Sequence, residues 1–317
     1  MVAISVVIPA FRPNSFDALA RSMKANVAAD AEWIVVDDGS GAEFDAIFST
    51  LPSAVQLIRL PEKRRQAAAR NAGLAQAQGK WVKFLDADDE LDQGHLAALL
   101  DRVEQDNTIP FAPTKHVFAN GSIYVNDSWR DLRENAEAQF RRQLVRPFFS
   151  HCGALFPREL LDRLGGYDES LITDEDGDLI LRILHEGYHF TPVVGVHYLY
   201  IHQDGQPRVS ADDDIRKLQS RVRVCDKVEA TFSGHMTPGV ALALAQRIDK
   251  IAMSYWTAFP AEAKALVARA HGIAPGYAPD IRGPLRLVRR IGGPGMVFAV
   301  QGLYRNLKGR PKGGAQG

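Results

Sequence analysis

Cysteine is scarce: only Cys152 and Cys225 occur in 317 residues, and they lie far apart. Two distant thiols build neither a disulfide framework nor a zinc site, so a reducing compartment is the default expectation. No apolar run approaches the roughly 18 residues of a spanning helix. The N-terminus runs straight into a strand-like segment without a basic region, so no signal peptide is expected. Internal repeats are missing as well. Net charge is missing in sum, since 38 Lys and Arg balance 38 Asp and Glu. What is present, 46% hydrophobic and 24% charged residues, is the composition of a soluble globular chain. Its length buries a full core and exceeds one compact unit.

The zero sum hides an uneven spread. From Ile281 onward the chain carries Arg282, Arg286, Arg289, Arg290, Arg305, Lys308, Arg310 and Lys312 and no acid, so residues 1–280 are acidic by the same amount. Met296-Val297-Phe298-Ala299-Val300 and Leu303-Tyr304 add apolar anchors. A basic segment with such anchors reads as a membrane-surface element. The alternative is a solvated basic tail. Nucleic acid is not expected as a partner, because the rest of the chain is acidic. Gly292-Gly293-Pro294-Gly295 breaks any helix there into short pieces.

The most informative stretch is Trp81-Val82-Lys83-Phe84-Leu85-Asp86-Ala87-Asp88-Asp89, an apolar strand ending in three carboxylates. Clustered carboxylates repel unless a cation lies between them, and hard divalent cations take oxygen ligands shared with substrate phosphates. An acidic surface turn is the plain alternative. A second acidic strand end follows Trp33-Ile34-Val35-Val36, in Asp37-Asp38-Gly39-Ser40. Strands at 2–8 (ended by Pro9), 33–36, 55–58 and 81–85 alternate with helices near 15–27 and 66–78. That order predicts a mainly parallel sheet, with ligands outside the carboxyl ends of its strands.

These segments, with Ser5-Val6-Val7-Ile8-Pro9-Ala10-Phe11, Ala69-Arg70-Asn71-Ala72-Gly73, Gly165-Gly166-Tyr167-Asp168-Glu169 and Asp174-Glu175-Asp176-Gly177-Asp178, resemble the inverting family 2 glycosyltransferases in order and spacing over about residues 2–205. The resemblance implies a GT-A fold: a Rossmann-like, mainly parallel sheet flanked by helices, here with a helical C-terminal extension. Two departures stand out. Phe11-Arg12 replaces a frequent Tyr-Asn, and Gly177 stands where a large residue is frequent, which would open the acceptor side.

The resemblance also implies roles. Pro9, Ala10 and Phe11 would wall the nucleoside, and Asp38 would accept from a uracil N–H. Asp86 would face the ribose or a metal-bound water. Asp88 would ligate a divalent cation, Mn²⁺ or Mg²⁺, with His202 approaching it from a strand before a mobile loop. Arginine suits phosphate geometry, so Arg65 and Arg70, the latter with Asn71, are candidates for the diphosphate. Asp176 would be the base that takes a proton from the acceptor hydroxyl, with Glu175 as substitute. Acids clustered at a helix start also serve as caps, but clustering raises each carboxyl's pKa, which would help a base near neutral pH. His151 and Cys152 fall where the acceptor side is built.

The expected organisation is a catalytic domain at 1–210 (a nucleotide-binding half at 1–105 and an acceptor half at 106–210), a helical extension at 211–280 and the basic tail at 281–317. Asn120-Gly121 predicts a hairpin over 116–125. Helices are predicted at 158–164, 176–185, from 212 onward and at 239–259. The expected activity is inverting transfer from a nucleotide sugar, a UDP-sugar, to a hydroxyl of a glycan or lipid-linked acceptor in surface-glycan synthesis, by a cytoplasmic enzyme peripheral on the inner face of the membrane. A nucleotidyltransferase is the rival, although it usually carries a glycine-rich basic loop after the first strand, and Pro9-Ala10-Phe11-Arg12-Pro13 has none. A non-catalytic GT-A-like binding protein is the other, although it should have lost one of Asp38, Asp86, Asp88 or Asp176.

Overall fold

The computed structural model describes residues 2–103, 107–132, 135–202 and 214–277. The chain forms two compact units, Met1–Pro207 and Arg208–Gly317. The basic tail and the loop after His202 lie outside the described residues.

The first unit runs β1 (Ile4–Ala10), α1 (Asp17–Ala25), β2 (Ala31–Asp37), α2 (Asp45–Phe48), β3 (Val55–Arg59), α3 (Arg65–Leu74), β4 (Trp81–Phe84), β5 (Glu90–Leu91), α4 (His95–Leu100), β6 (Thr108–Phe111), β7 (Thr114–Phe118), β8 (Ile123–Val125), α5 (Ala136–Val145), β9 (Phe156–Pro157), α6 (Arg158–Arg163), α7 (Glu175–His185), β10 (His189–Pro192) and β11 (Tyr198–His202). The main sheet has the order β3-β2-β1-β4-β9. Its first four strands are parallel, and β9 runs antiparallel to β4. All seven residues of β1 are buried, as expected of a central parallel strand covered on both faces.

Chain order reverses about β1, with β2 and β3 on one side and β4 on the other. That is a topological switch point, and the crevice outside the carboxyl ends of the strands there is where open α/β sheets bind ligands. The acidic ends of β2 and β4 flank it. The strand expected to stop at Pro9 continues to Ala10, because its pairing with β2 runs on to Ala10–Asp37 while its pairing with β4 ends at Val7. Pro9 therefore sits where no β4 partner remains for an N–H.

Helix α3 lies on the sheet through small residues. A Cβ on Gly73 would come within 2.3 Å of Val7 Cγ1, so only glycine allows this approach. A second sheet, β5-β11-β7-β8, joins β11 to β7 in parallel and to β5 in antiparallel fashion, and β7–β8 is the expected hairpin. β6 and β10 form a parallel pair.

The second unit holds α8 (Ile215–Thr231), α9 (Pro238–Tyr255) and α10 (Pro260–Ile273). Asp214 and Thr237 cap α8 and α9 by accepting from the N–H groups of Arg216 and Val240. The helix expected over 239–259 ends at Tyr255, and Pro260 opens an unpredicted helix at its first turn, a position where its missing N–H costs nothing. Arg269 of α10 pairs with Asp226 and Glu229 of α8.

Candidate functional site

The crevice is built from the ends of β1, β2 and β4, with α3 and α7 closing it. Pro9 and Ala10 are buried and Phe11 is half-buried. Lys63 Nζ lies 3.7 Å from the Phe11 ring centroid and the Arg12 guanidinium lies 5.2 Å from it. The wall expected for a nucleoside is thus apolar within and cationic at its rim.

Asp37 and Asp38 separate in role. Asp37 accepts from the Ser40 N–H and pairs with Arg59. Asp38 is 3% exposed, and its two oxygens accept from the backbone N–H groups of Arg64 (2.6 Å) and Arg65 (2.8 Å). It therefore caps α3 from a different segment, satisfying donors that a helix start leaves orphaned. Gly39, at φ +68, lets the chain pass so close that a Cβ there would meet the Glu62 carbonyl carbon at 2.4 Å.

The two arginine candidates part company. Arg65 is exposed and sits at φ 75, an uncommon backbone state for a non-glycine residue and one that clusters at functional sites. Arg70 is 1% exposed. Its guanidinium lies 2.8 Å from Asp86 Oδ1 and 3.2 Å from Glu175 Oε1, and above the Tyr167 ring. Arg70, expected at the diphosphate, has two guanidinium nitrogens engaged by carboxylates, while its Nε is buried without a hydrogen-bond partner. Asn71 is likewise committed, donating to the Tyr167 carbonyl and Glu169 and accepting from the Tyr167 N–H.

The three carboxylates after β4 also differ. Asp86 is held by Arg70. Asp88 is exposed, and its carboxyl is raised by desolvation first and by neighbouring Asp86 second. Asp89 is buried and accepts from the Tyr198 hydroxyl and, at 2.8 Å, from the Ile201 N–H. Desolvation and Asp86 raise it, against the pull of its Tyr198 hydrogen bond. Asp89 received no role from the sequence, since its partners stand more than 100 positions away. It ties the end of β4 to β11, the strand that carries His202.

The residues at the Asp86–Asp88 edge fit a hard divalent cation. The donors are all oxygen, and two facing carboxylates share one fixed cation, Arg70, which leaves the raised Asp88 with charge to be offset. Among the described residues no three His, Cys, Asp or Glu side chains are arranged to hold an ion. His202 Nε2 faces His116 Nδ1 at 3.0 Å, and its ring stacks on Phe118 with centroids 4.1 Å apart.

Each acid at the start of α7 has a distinct place. Asp174 takes a left-handed backbone at the N-cap. Glu175 faces Arg70. Asp176 Oδ1 accepts from the Gly177 N–H at 2.8 Å, and Oδ2 lies 3.6 Å from His151 Nδ1. Asp178 is buried against Arg182. Gly177 is itself buried.

The expectation that clustering raises the base's pKa is overturned for Asp176. Burial does push its carboxyl up, but the nearby His151 imidazole, the Gly177 N–H and Arg70 outweigh that, and the group is held below the usual carboxylate range. Because 47% of its side chain is open to solvent, water softens this shift. Glu175 is the acid that is raised, by desolvation and then by Asp176.

A family model described as "Glycosyl transferase family 2" matches residues 5–165. The succinoglycan biosynthesis protein ExoO of Rhizobium meliloti is 28% identical over 222 residues, covering 64% of this chain and 61% of that protein. A GalNAc(5)-diNAcBac-PP-undecaprenol beta-1,3-glucosyltransferase of Campylobacter jejuni is 28% identical over 173 residues, covering 51% of this chain and 54% of that one. The matched stretch thus spans under two-thirds of either relative. Among solved structures, S. aureus TarS 1-349 in complex with UDP-GlcNAc superposes with a TM-score of 0.67 at 19% identity, covering 96% of this chain and 92% of that one, a likeness of fold.

Proposed function

The chain belongs to glycosyl transferase family 2 and has a GT-A-like fold, and from that premise we propose that it moves a sugar from a UDP-sugar to a hydroxyl of a glycan or lipid-linked acceptor, with inversion. One observation carries the reading. The Arg70 guanidinium bridges Asp86, at the end of β4, to Glu175, beside Asp176 on α7, so a single buried cation joins the charge-handling edge to the helix start that carries the candidate base. The UDP-GlcNAc held by TarS and the names of the surface-glycan relatives support the donor and acceptor classes.

In this reading Pro9, Ala10 and Phe11 receive the nucleoside and exposed Arg65 reaches the diphosphate. Asp38 shapes the pocket by fixing the Arg64–Arg65 backbone and offers its remaining lone pairs to the base. The Asp176 carboxylate takes the proton from the acceptor hydroxyl as that oxygen attacks the anomeric carbon. The nucleoside diphosphate departs with the bonding electrons. Asp88, with Asp86 beside it, would hold Mn²⁺ or Mg²⁺, which supplies Lewis-acid neutralisation of the leaving diphosphate; phosphates and water would complete its shell, as Mg²⁺ sites usually have it. His202, at the end of β11, would approach that ion or the phosphates.

No helix among the described residues is long and apolar enough to cross a membrane. Contact with the inner face of the cell membrane would fall to the basic tail. The test is a panel of nucleotide sugars assayed for nucleoside diphosphate release with Mn²⁺ and with chelator, for wild type and Asp176→Asn. UDP-sugar turnover that needs the ion and falls at least about 10²-fold in the variant supports the reading. Equal turnover by the variant would remove Asp176 as base and send the search to Glu175.

A further inference from the structure

We propose that His151 is the positioning residue for Asp176, its buried Nδ1–H holding the carboxylate in the orientation in which it accepts the acceptor's proton. The inference rests on the reading of Asp176 as the base.

His151 opens a short 3₁₀ turn, His151–Gly153, and is 5% exposed. Its Nε2 lies 3.4 Å from Cys152 Sγ. Its Nδ1 is buried without a hydrogen-bond partner, and Asp176 Oδ2 stands 3.6 Å away. An orphaned buried donor is rare in folded proteins, and this one faces the candidate base. The gap is slightly longer than a hydrogen bond, but such bonds are often long without substrate and tighten in the reacting complex.

The ring cannot simply turn aside. Phe84 and Tyr167 pack around it, with ring centroids 6.4 and 6.0 Å away. Asp176, by contrast, has only the Gly177 N–H on its other oxygen and a side chain half open to water. Without His151, no other side chain among the described residues holds the carboxylate against rotating out. The charged and titratable groups around the imidazole are Asp176 and Glu175 from α7, Arg70 from α3, Cys152 on its own turn and the Tyr167 phenol. Burial works against an imidazolium, but Cys152 and then Asp176 overcome it and Arg70, and the group is raised to about 10. That direction favours a proton on Nδ1, the nitrogen that faces Asp176. In the reaction it neither gains nor loses a proton: the acceptor O–H proton goes to Asp176, and His151 keeps its own.

Two variants separate positioning from packing. In His151→Asn the amide nitrogen falls near the Nδ1 position, whereas His151→Phe keeps the ring and loses the donor. With the donor selected by the nucleotide-sugar panel, His151→Phe should lose at least about tenfold in kcat with the donor KM unchanged. The acid limb of its pH profile should move up, because Asp176 loses its ion partner. His151→Asn should recover most of the loss.

A packing role predicts the reverse order, since Phe suits the Phe84–Tyr167 surroundings and Asn does not; that order overturns the inference. Imidazole nitrogen NMR on the full chain needs no donor. Asp176→Asn should lower the His151 pKa by at least about one unit, the effect of removing an anion at this range, and an unchanged titration sinks the idea. If Asp176→Asn is inactive while His151→Phe has full activity, the inference fails and the reading of the base stands. If Asp176→Asn is fully active, both fail.

Discussion

Arg70 and Asp86 form a buried ion pair, 2.8 Å apart, with the arginine side chain 2% exposed. The same guanidinium reaches Glu175. One residue thus holds strand end and helix start together.

Removing that cation should therefore cost stability before it costs binding. Breaking a buried pair by deleting one partner leaves uncompensated charge, typically at about 3–5 kcal/mol. Arg70→Ala should lower the urea midpoint by a corresponding amount. Arg65→Ala, at an exposed position, should leave stability nearly unchanged and weaken UDP binding. Arg70→Ala with wild-type stability and weakened UDP binding alone would restore the phosphate role to Arg70.

Asp38 joins β2 to α3 in the same way. Asp38→Ala leaves the Arg64 and Arg65 N–H groups without this acceptor, at about 0.5–2 kcal/mol for a lost helix cap. Chemical denaturation should show that loss, with a smaller one in Asp38→Asn, which keeps one acceptor oxygen. If both variants match wild type, Asp38 is not a cap.

The ion can be tested by calorimetry. UDP should bind far better with Mn²⁺ than with chelator, and Asp88→Ala should abolish the difference while leaving the metal-free affinity in place. Equal UDP affinity under both conditions would exclude a bridging ion at Asp88.

Two buried bases should tilt the pH dependence of stability in opposite directions. His151 is raised from 6.5 to about 10, so its contribution is complete below 6.5 and fades as pH rises towards 10. Lys83, fully buried with its Nζ donating to the Cys152 carbonyl, is lowered from 10.5 to about 7, chiefly by desolvation. Between those values the unfolded chain binds more protons at this site, so the lysine's contribution rises with pH. Relative to wild type, His151→Phe should be less stable at pH 6 with the deficit narrowing towards 10. Lys83→Met should be more stable near pH 6 with the advantage shrinking over the same range. Thermal denaturation across pH reads both slopes, and parallel curves for variant and wild type would refute either assignment.

The basic tail can be examined by cosedimentation with anionic vesicles. Full-length protein should pellet at low salt, with attraction of about 1 kcal/mol per basic residue near the lipid, and should release as salt screens it. A chain ending at residue 280 should stay in solution. Equal pelleting of both would assign the tail to solvent or to packing.

The sequence by itself determined the alternation of strand and helix, the parallel sheet, and the gathering of Asp37–Asp38 and Asp86–Asp89 on one edge. These follow from local apolar periodicity and from the rule that parallel strands end on the same side, and they need no knowledge of distant contacts. The family resemblance was legible in the same way, as an ordered set of strand ends. What each acid does was decided by the tertiary structure alone. Asp38 caps α3 through N–H groups 26 and 27 positions on. Arg70 is sealed by a glutamate 105 positions away, while Arg65 stays open. Asp176 is held low and Glu175 raised because His151 stands beside one and desolvation dominates the other. Protonation and pairing depend on charges within a few ångströms, and chain folding brings those charges from segments whose separation in sequence carries no sign of their meeting.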